Sequence, residues 1–250
     1  MDLSAVARFG ILLVRPGALL LVAPGLGGQS IPPLARVGIT VLLALAMAPG
    51  VPMPTGPDVG IVMVLAREFA IGLALGLSAR ALIAGAELAG HLASQQIGFS
   101  YAATIDPAGG ARNTVLASLY GLLAVLTWLA IDGHHLLLQA LHASYTGFPI
   151  GSGGVDGSLL TSVRELLGLV FITGLRLAAP VIAVILLLEV ALGLISRAAP
   201  SLNFFIIGYP TRLVVGLAIV AVTITTIPGV TRSLTERVTA AALTMAGAFR

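Results

Sequence analysis

Long apolar runs alternate along the chain with short polar stretches rich in proline or glycine. A helix needs about 20 mostly apolar residues to cross a bilayer. Six runs are candidates for such helices: residues 9–23, 37–48, 59–86, 115–131, 166–196 and 213–227. The pattern predicts an all-α fold of the integral membrane type, built from helical hairpins with broken helices.

Several of these runs are interrupted. Arg15-Pro16 lies inside the first run, which we therefore expect to be split there, and to be retained rather than cleaved as a signal peptide. The run 115–131 is the most uniform and carries Trp128 near one end, where an aromatic anchor at the membrane surface is expected. The run 166–196 is too long for one straight membrane crossing and contains Pro180.

Charged residues within the apolar runs are costly. A charge at the centre of a lipid-exposed helix costs about 2.5–3.5 kcal/mol on insertion scales. Six such residues occur here: Arg15, Arg67, Glu68, Arg80, Arg176 and Glu189. Either they pair inside a protein assembly or their segments do not face lipid, and both interpretations indicate extensive protein–protein contact.

Small residues recur at four-residue spacing in the third run. Gly72 and Gly76 form a GxxxG pattern, which Ala81, Gly85 and Ala89 continue in similar spacing. Such rows let helix backbones approach closely. The contact is expected either within this chain or at a subunit interface.

The composition agrees with a membrane protein. Of 250 residues, 58% are hydrophobic and 9% charged, whereas soluble domains have about a quarter charged residues. All 13 basic residues are arginine and none forms a block that would indicate nucleic-acid binding. Cysteine is absent, which excludes disulfides and thiol catalysis.

Candidate catalytic and metal-binding groups are few. His134 and His135 follow Asp132, but adjacent helical residues point to different faces, so a polar segment end is favoured over a metal site. Ser144 and Ser196 lie outside any GxSxG elbow. We expect no enzyme activity, no metal and no other cofactor.

Two carboxylates support an alternative function. Glu87 and Glu189 could carry protons in a polytopic secondary transporter, because buried carboxylates in membranes often do. Their other expected role is to pair with Arg67, Arg80 or Arg176.

The segment GAELAGHLASQQIGFSYAATIDPAGG, residues 85–110, begins as a helix and becomes an irregular loop after Gly98. Irregular backbone at membrane depth persists only when it is buried in protein or lines an aqueous cavity. The alternative is an ordinary surface loop.

A family resemblance covers nearly the whole chain. The stretch GLISRAAPSLNFFIIGYPTRLVVGL, residues 193–217, resembles the FliR/SctT family, whose members are export-gate subunits of flagellar and virulence type III secretion systems. Glu189 departs from the pattern, where a neutral polar residue such as Asn is expected. Further matches, in chain order, are Arg15-Pro16, Pro24, Gly27, Pro32, Arg36, the 85–100 segment, Asp106-Pro107, GHH with Ser144 and Pro149, and Arg176 with Pro180.

The resemblance implies a non-catalytic channel component in the inner membrane of a bacterium, within the flagellar basal body. It implies a hetero-oligomeric helical gate with about five FliP-like and about four FliQ-like subunits, an inference by family analogy. An FlhB-like switch protein and unfolded export substrates are the other implied partners. Residues 1–150 would be the FliP-like part and residues 151–250 the FliQ-like part. A virulence-system gate subunit is the alternative within the family.

The resemblance also implies roles for three sets of residues. A loop that plugs the closed pore carries over to Phe99, Ser100, Tyr101, Ile105, Asp106 and Pro107. A hairpin turn used in assembly, with the helix broken at both prolines and both arginines paired across a subunit boundary, carries over to Arg197, Pro200, Asn203, Phe204, Gly208, Pro210 and Arg212. Buried charged and polar interface groups are expected at Arg15, Glu68, Arg80, Glu87, Gln96, Arg176 and Glu189.

Overall fold

The computed structural model describes residues 3–27, 31–51, 60–99, 114–150, 158–199 and 204–247. All regular structure within these ranges is helical. The α-helices are α1 (Leu3–Val22), α2 (Pro33–Met47), α3 (Ile61–Ile97), α4 (Val115–Ala130), α5 (Gly133–Gly147), α6 (Ser158–Ala198), α7 (Phe204–Thr223) and α8 (Ile227–Gly247). Short 3-10 turns occur at Ala48–Gly50 and Ile224–Thr226.

Within the described residues, three helical stretches are long and apolar enough to cross a membrane: Ile61–Ile97, Leu160–Ala198 and Ile207–Thr235. A fourth is possible if α4 and α5, which are bent by 68° at their junction, count as one broken span. The predicted all-α, membrane-type fold is therefore confirmed.

Prolines do not break the helices where the sequence predicted. Pro16 lies inside α1 and Pro210 inside α7, so the expected breaks at both positions are wrong. Proline removes one backbone hydrogen bond, whereas a broken helix among apolar groups would leave several without a partner. At Pro16 the freed carbonyl, that of Leu12, accepts a hydrogen bond from the Tyr145 hydroxyl at 3.2 Å.

The turn between α6 and α7 is shorter than the predicted turn over residues 196–212. Helix α6 continues to Ala198 and α7 begins at Phe204, so Arg197, Gly208 and Arg212 are helical. Pro200 and Asn203 lie outside the described residues. An ion pair between Glu189 and Arg212, about equally far from the turn on each helix, shows that α6 and α7 form an antiparallel hairpin.

The chain forms two compact units that are discontinuous in sequence. One comprises Met1–Ala81, Trp128–Leu167 and Ser233–Arg250, and the other comprises Leu82–Thr127 and Gly168–Arg232. The predicted division at residue 150 separates a FliP-like part from a FliQ-like part. It describes similarity to other subunits rather than compact units, and it stays a prediction.

The GxxxG pattern packs inside the first unit. A Cβ at Gly72 would overlap the backbone oxygen of Arg15, and a Cβ at Gly76 would lie 2.8 Å from that of Leu19. Of the two contacts predicted for these glycines, the structure shows the one within the chain, between α3 and α1.

Candidate functional site

Helix α3 ends at the start of the predicted plug loop. Gly98 adopts the left-handed conformation, with φ of 100°, which a residue without Cβ adopts at little cost. The backbone N–H groups of Gly98 and Phe99 both donate to the Ser94 carbonyl at 3.0 Å, which closes the last helical turn. Phe99 is half-buried at this end. The other predicted plug residues, Ser100, Tyr101, Ile105, Asp106 and Pro107, lie outside the described residues.

The two ends of the loop are joined by a hydrogen bond. Ser94 Oγ, in the last turn of α3, donates to Thr114 Oγ1 at 2.8 Å. Thr114 Oγ1 also accepts the backbone N–H of Ala117 at 3.3 Å, so Thr114 caps the start of α4. The chain therefore leaves α3 and returns to α4 at one anchored point.

Close helix packing supports this anchor. A Cβ at Gly90 on α3 would lie 2.6 Å from Ala117 Cα, so α3 and α4 are in backbone contact just below the loop. On α7, a Cβ at Gly216 would lie 2.5 Å from Ile97 Cγ1. Three helices of the second unit thus meet at this site, which we call the loop base: Gly90, Ser94, Ile97, Thr114, Ala117 and Gly216.

The other polar residues predicted on α3 are half-buried. Gln96 is half-buried in the last turn of the helix. Glu87 is half-buried against α4, where a Cβ at Gly121 would lie 2.8 Å from Glu87 Cγ. Arg80, also half-buried, precedes them on the same helix.

A second polar site is buried in the first unit. Arg15 is fully buried and Glu68 is 1% exposed, and Arg15 Nε lies 2.7 Å from Glu68 Oε2. Arg15 also donates from Nη1 to Ser144 Oγ at 2.9 Å and from Nη2 to the Phe148 carbonyl at 3.1 Å. Its guanidinium carbon lies 4.2 Å from the centre of the Tyr145 ring, a cation–π contact.

The buried pair explains how two charged residues are accommodated in apolar helices. Arg15 is on α1, Glu68 on α3 and Ser144 on α5, so the pairing predicted for these charges occurs within the chain. The Ser144 hydroxyl donates to the Leu141 carbonyl at 2.7 Å. Its proton is thus held by a backbone carbonyl rather than by a catalytic base.

Among the remaining predicted charges, Arg67 is buried near Glu68, whereas those on α6 and α7 are more exposed. Arg176 and Arg197 are exposed on α6. Within the chain, Arg212 Nη2 lies 2.8 Å from Glu189 Oε1, and a further contact of Arg212 with an acid of another subunit stays a prediction. Because α6 and α7 are antiparallel neighbours, Glu189 lies close enough to Arg212 to form this ion pair within one hairpin.

The histidine pair differs from its predicted geometry. One ligand atom each of Asp132, His134 and His135 lies within 4.8 Å of the others. The ring centres of His134 and His135 are 4.2 Å apart, so the expectation that these adjacent side chains diverge is wrong.

Sequence reasoning missed two of the contacts that define these sites. Thr114 immediately precedes an apolar helix, a recognisable N-cap signal that could have located the end of the loop. No sequence signal links Tyr145 to the carbonyl of Leu12, because that contact depends on how α1 and α5 pack.

Comparisons with known proteins place the chain in a family. The family model described as bacterial export proteins, family 1, matches residues 6–238. The flagellar biosynthetic protein FliR of Pectobacterium carotovorum subsp. carotovorum is 34% identical over 225 residues, 89% of this chain and 86% of that protein. FliR of Escherichia coli (strain K12) is 33% identical over 211 residues, 84% of this chain and 81% of that protein.

A virulence protein is also related. The surface presentation of antigens protein SpaR of Shigella flexneri is 26% identical over 215 residues, 85% of this chain and 83% of that protein. The matches to FliR proteins and to SpaR extend over most of each chain. The chain therefore belongs to the FliR/SctT family of bacterial export proteins, as the resemblance of its residues predicted.

Proposed function

We propose that this protein is a non-enzymatic core component of the flagellar type III export gate in the bacterial inner membrane. It would form, with FliP-like and FliQ-like subunits and next to an FlhB-like switch protein, the channel for unfolded flagellar subunits. The observation that carries the proposal is the apolar surface that α6 and α7 leave uncovered within the chain.

The contrast between helices is clear. In the most apolar stretch of Ile61–Ile97, 44% of the residues are buried, against 22% in the corresponding stretches of Leu160–Ala198 and Ile207–Thr235. The exposed large side chains of α6 include Leu167, Phe171, Leu175, Leu186, Leu187, Val190 and Leu194. This surface must be covered by lipid or by other subunits.

Charge favours other subunits over lipid for part of that surface. Arg176 is exposed on α6 beside Leu175, and a charge at the centre of a lipid-facing helix costs about 2.5–3.5 kcal/mol. A partner subunit that offers a carboxylate or carbonyl oxygens would remove this cost. The family resemblance suggests FliP-like and FliQ-like chains as these neighbours.

The loop base supports the proposed plug. A segment that closes a pore must be held firmly at its ends while its middle can be displaced by substrate. Ser94 and Thr114 hold both ends of the segment at the junction of three packed helices. Phe99 would be the first plug residue, followed by Tyr101, Ile105 and Pro107.

Similarity favours the flagellar system over the virulence system. The FliR relatives from Pectobacterium and Escherichia are 34% and 33% identical, and SpaR is 26% identical. Within the gate, residues 1–150 would take a FliP-like position and residues 151–250 a FliQ-like position. This division rests on the family resemblance.

Native mass spectrometry of the tagged chain, co-expressed with the membrane proteins encoded beside it, tests the proposal. We expect one copy of this chain with about five copies of one small membrane protein, the composition implied by family analogy. A stable monomer or homodimer that recruits no neighbour would contradict it.

The transporter alternative is separated by a double substitution. Glu87→Gln with Glu189→Gln should abolish solute or proton transport by a carrier that remains folded. In a gate subunit the same change should alter assembly or leakage instead. Glu189 already pairs with Arg212, which favours the structural role for that carboxylate.

A further inference from the structure

The corner between α4 and α5 has an unusual backbone. Asp132 has φ of 59° and ψ of 28°, and it is the one non-glycine residue with positive φ among those the structure describes. Such conformations are disfavoured for residues that carry a Cβ, and they cluster at functional sites. Asp132 stands at the N-cap position of α5, where an aspartate usually accepts a backbone N–H, yet its side chain makes no capping hydrogen bond.

The carboxylate faces two imidazoles instead. Asp132 Oδ1 lies 3.2 Å from His135 Nδ1, and the ring centres of His134 and His135 are 4.2 Å apart. His134 Nδ1 is buried and has no hydrogen-bond partner within the described part of the chain. One ligand atom from each of the three residues lies within 4.8 Å of the others.

We propose that Asp132, His134 and His135 bind a divalent transition-metal ion of the zinc class. Two imidazoles and one carboxylate form a ligand set suited to Zn²⁺, Co²⁺ or Cu²⁺ and unsuited to Ca²⁺ or Mg²⁺, which take oxygen ligands. Three protein ligands leave at least one position for water or for a group of a neighbouring subunit.

The required movement is small. Ligand atoms about 2.0–2.2 Å from a tetrahedral zinc ion are about 3.4 Å apart, so atoms that lie within 4.8 Å of one another must approach by at most about 1.4 Å. The side chains of His135 and Asp132 are 62% and 72% exposed, which leaves both free to rotate toward a shared ion. Binding would stabilise the left-handed Asp132 conformation and fix the first turn of α5.

The chain contains its own reporter for this site. Trp128 is its single tryptophan, and the ring centres of Trp128 and His134 are 6.5 Å apart. A Cβ at Gly133 would overlap the indole, so Trp128 packs directly against the corner. A paramagnetic ion held by these ligands should therefore quench Trp128 fluorescence.

The test is a Co²⁺ titration of the full chain, purified with its partner subunits through a tag without histidines. The Trp128→Phe variant of the same preparation identifies the emission that belongs to Trp128. We expect quenching that saturates at one Co²⁺ per chain and is reversed by Zn²⁺, which displaces Co²⁺ without quenching.

Variants show which side chains bind the ion. Asp132→Gly removes the carboxylate but suits the left-handed backbone, so the fold is preserved. We expect Asp132→Gly and His135→Ala to weaken binding at least about 10-fold, because even indirect changes at metal sites cost 10–100-fold. His142→Ala, which removes another exposed histidine of α5, should bind like the wild type.

Three results would overturn the proposal. They are an absence of Trp128 quenching in the wild type, quenching that rises without saturation, and wild-type binding by both Asp132→Gly and His135→Ala. The readout is independent of export activity, so it does not depend on the function proposed above.

Discussion

Arg15 shows how one side chain joins three helices. Its three nitrogen atoms each donate to a different group: the Glu68 carboxylate, the Ser144 hydroxyl and the Phe148 carbonyl. The planar guanidinium allows these donors to point in fixed, different directions, which a lysine ammonium on a flexible chain does not match. Through these three hydrogen bonds, Arg15 holds α1 and α3 against the end of α5.

At this scale we predict a large difference between two ion pairs. Arg15→Met removes the hydrogen-bonded partner of the buried Glu68 carboxylate, which should cost about 3–5 kcal/mol of unfolding free energy. Glu189→Gln breaks a pair whose side chains are 26% and 43% exposed, and it should cost at most about 1 kcal/mol.

Denaturant unfolding of the purified variants, followed by circular dichroism, measures both costs. The double variant with Arg15→Met and Glu68→Met should recover much of the lost stability, because the Glu68 carboxylate is then no longer buried without its hydrogen-bonded partner. Equal effects of Arg15→Met and Glu189→Gln would contradict this account of the buried pair.

At the scale of the element, α1 tolerates Pro16 because another helix satisfies the backbone. The Tyr145 hydroxyl of α5 donates to the carbonyl of Leu12. In a regular helix this carbonyl would accept the backbone N–H of residue 16, which proline lacks. A helix-breaking residue is thus compensated by tertiary contact rather than by a change of secondary structure.

A double-mutant cycle tests this compensation. Tyr145→Phe keeps the ring over Arg15 but leaves the Leu12 carbonyl without its donor, which should cost about 1–3 kcal/mol. In a Pro16→Ala background the backbone N–H of residue 16 can donate to the Leu12 carbonyl. Tyr145→Phe should therefore cost clearly less unfolding free energy in that background. Identical costs in both backgrounds would show that the hydroxyl does not serve this purpose.

The loop base is the second element with a specific prediction. Thr114→Val removes both the tie to Ser94 and the cap of α4, with little change in volume. If the loop plugs a pore, this variant should raise leakage of small ions across the membrane while the gate still assembles.

Thr127→Val is the matched control on α4. Its hydroxyl bonds only the Leu123 carbonyl one turn earlier among the contacts described, so leakage should remain at the wild-type level. Conductance of the assembled gate in planar bilayers is the measurement. Equal conductance of the Thr114 and Thr127 variants would count against an anchored plug.

At the scale of the whole molecule, the chain leaves apolar surface uncovered on the two helices of the α6–α7 hairpin. Because it contains no cysteine, a single introduced thiol reports cleanly on what covers this surface. Leu187 is 67% exposed on α6, whereas Ile185 on the same helix is fully buried.

We predict that Leu187→Cys, carrying a thiol-attached photocrosslinker, forms adducts with a FliQ-like or FliP-like subunit in the assembled gate. Ile185→Cys should be labelled poorly and form no intersubunit adduct. Gel electrophoresis and mass spectrometry identify the products. Adducts of Leu187→Cys with lipid alone would show that this face is exposed to the membrane.

The sequence alone was enough to predict the class of fold, because long apolar runs of low charge leave few alternatives to membrane-type helices. It also determined the family, since the motif over residues 193–217 and its supporting positions are specific in combination. The buried character of Arg15 and Glu68 followed from the cost of placing charges in apolar helices.

The tertiary structure was needed to establish which groups meet. It placed Glu68 and Ser144 around Arg15, and paired Arg212 with Glu189 inside one hairpin. It kept Pro16 within a continuous helix and brought the ligand atoms of Asp132 and His135 together. These outcomes depend on helix packing and on local backbone conformation, which hydrophobic periodicity and residue type leave open because they describe each segment alone.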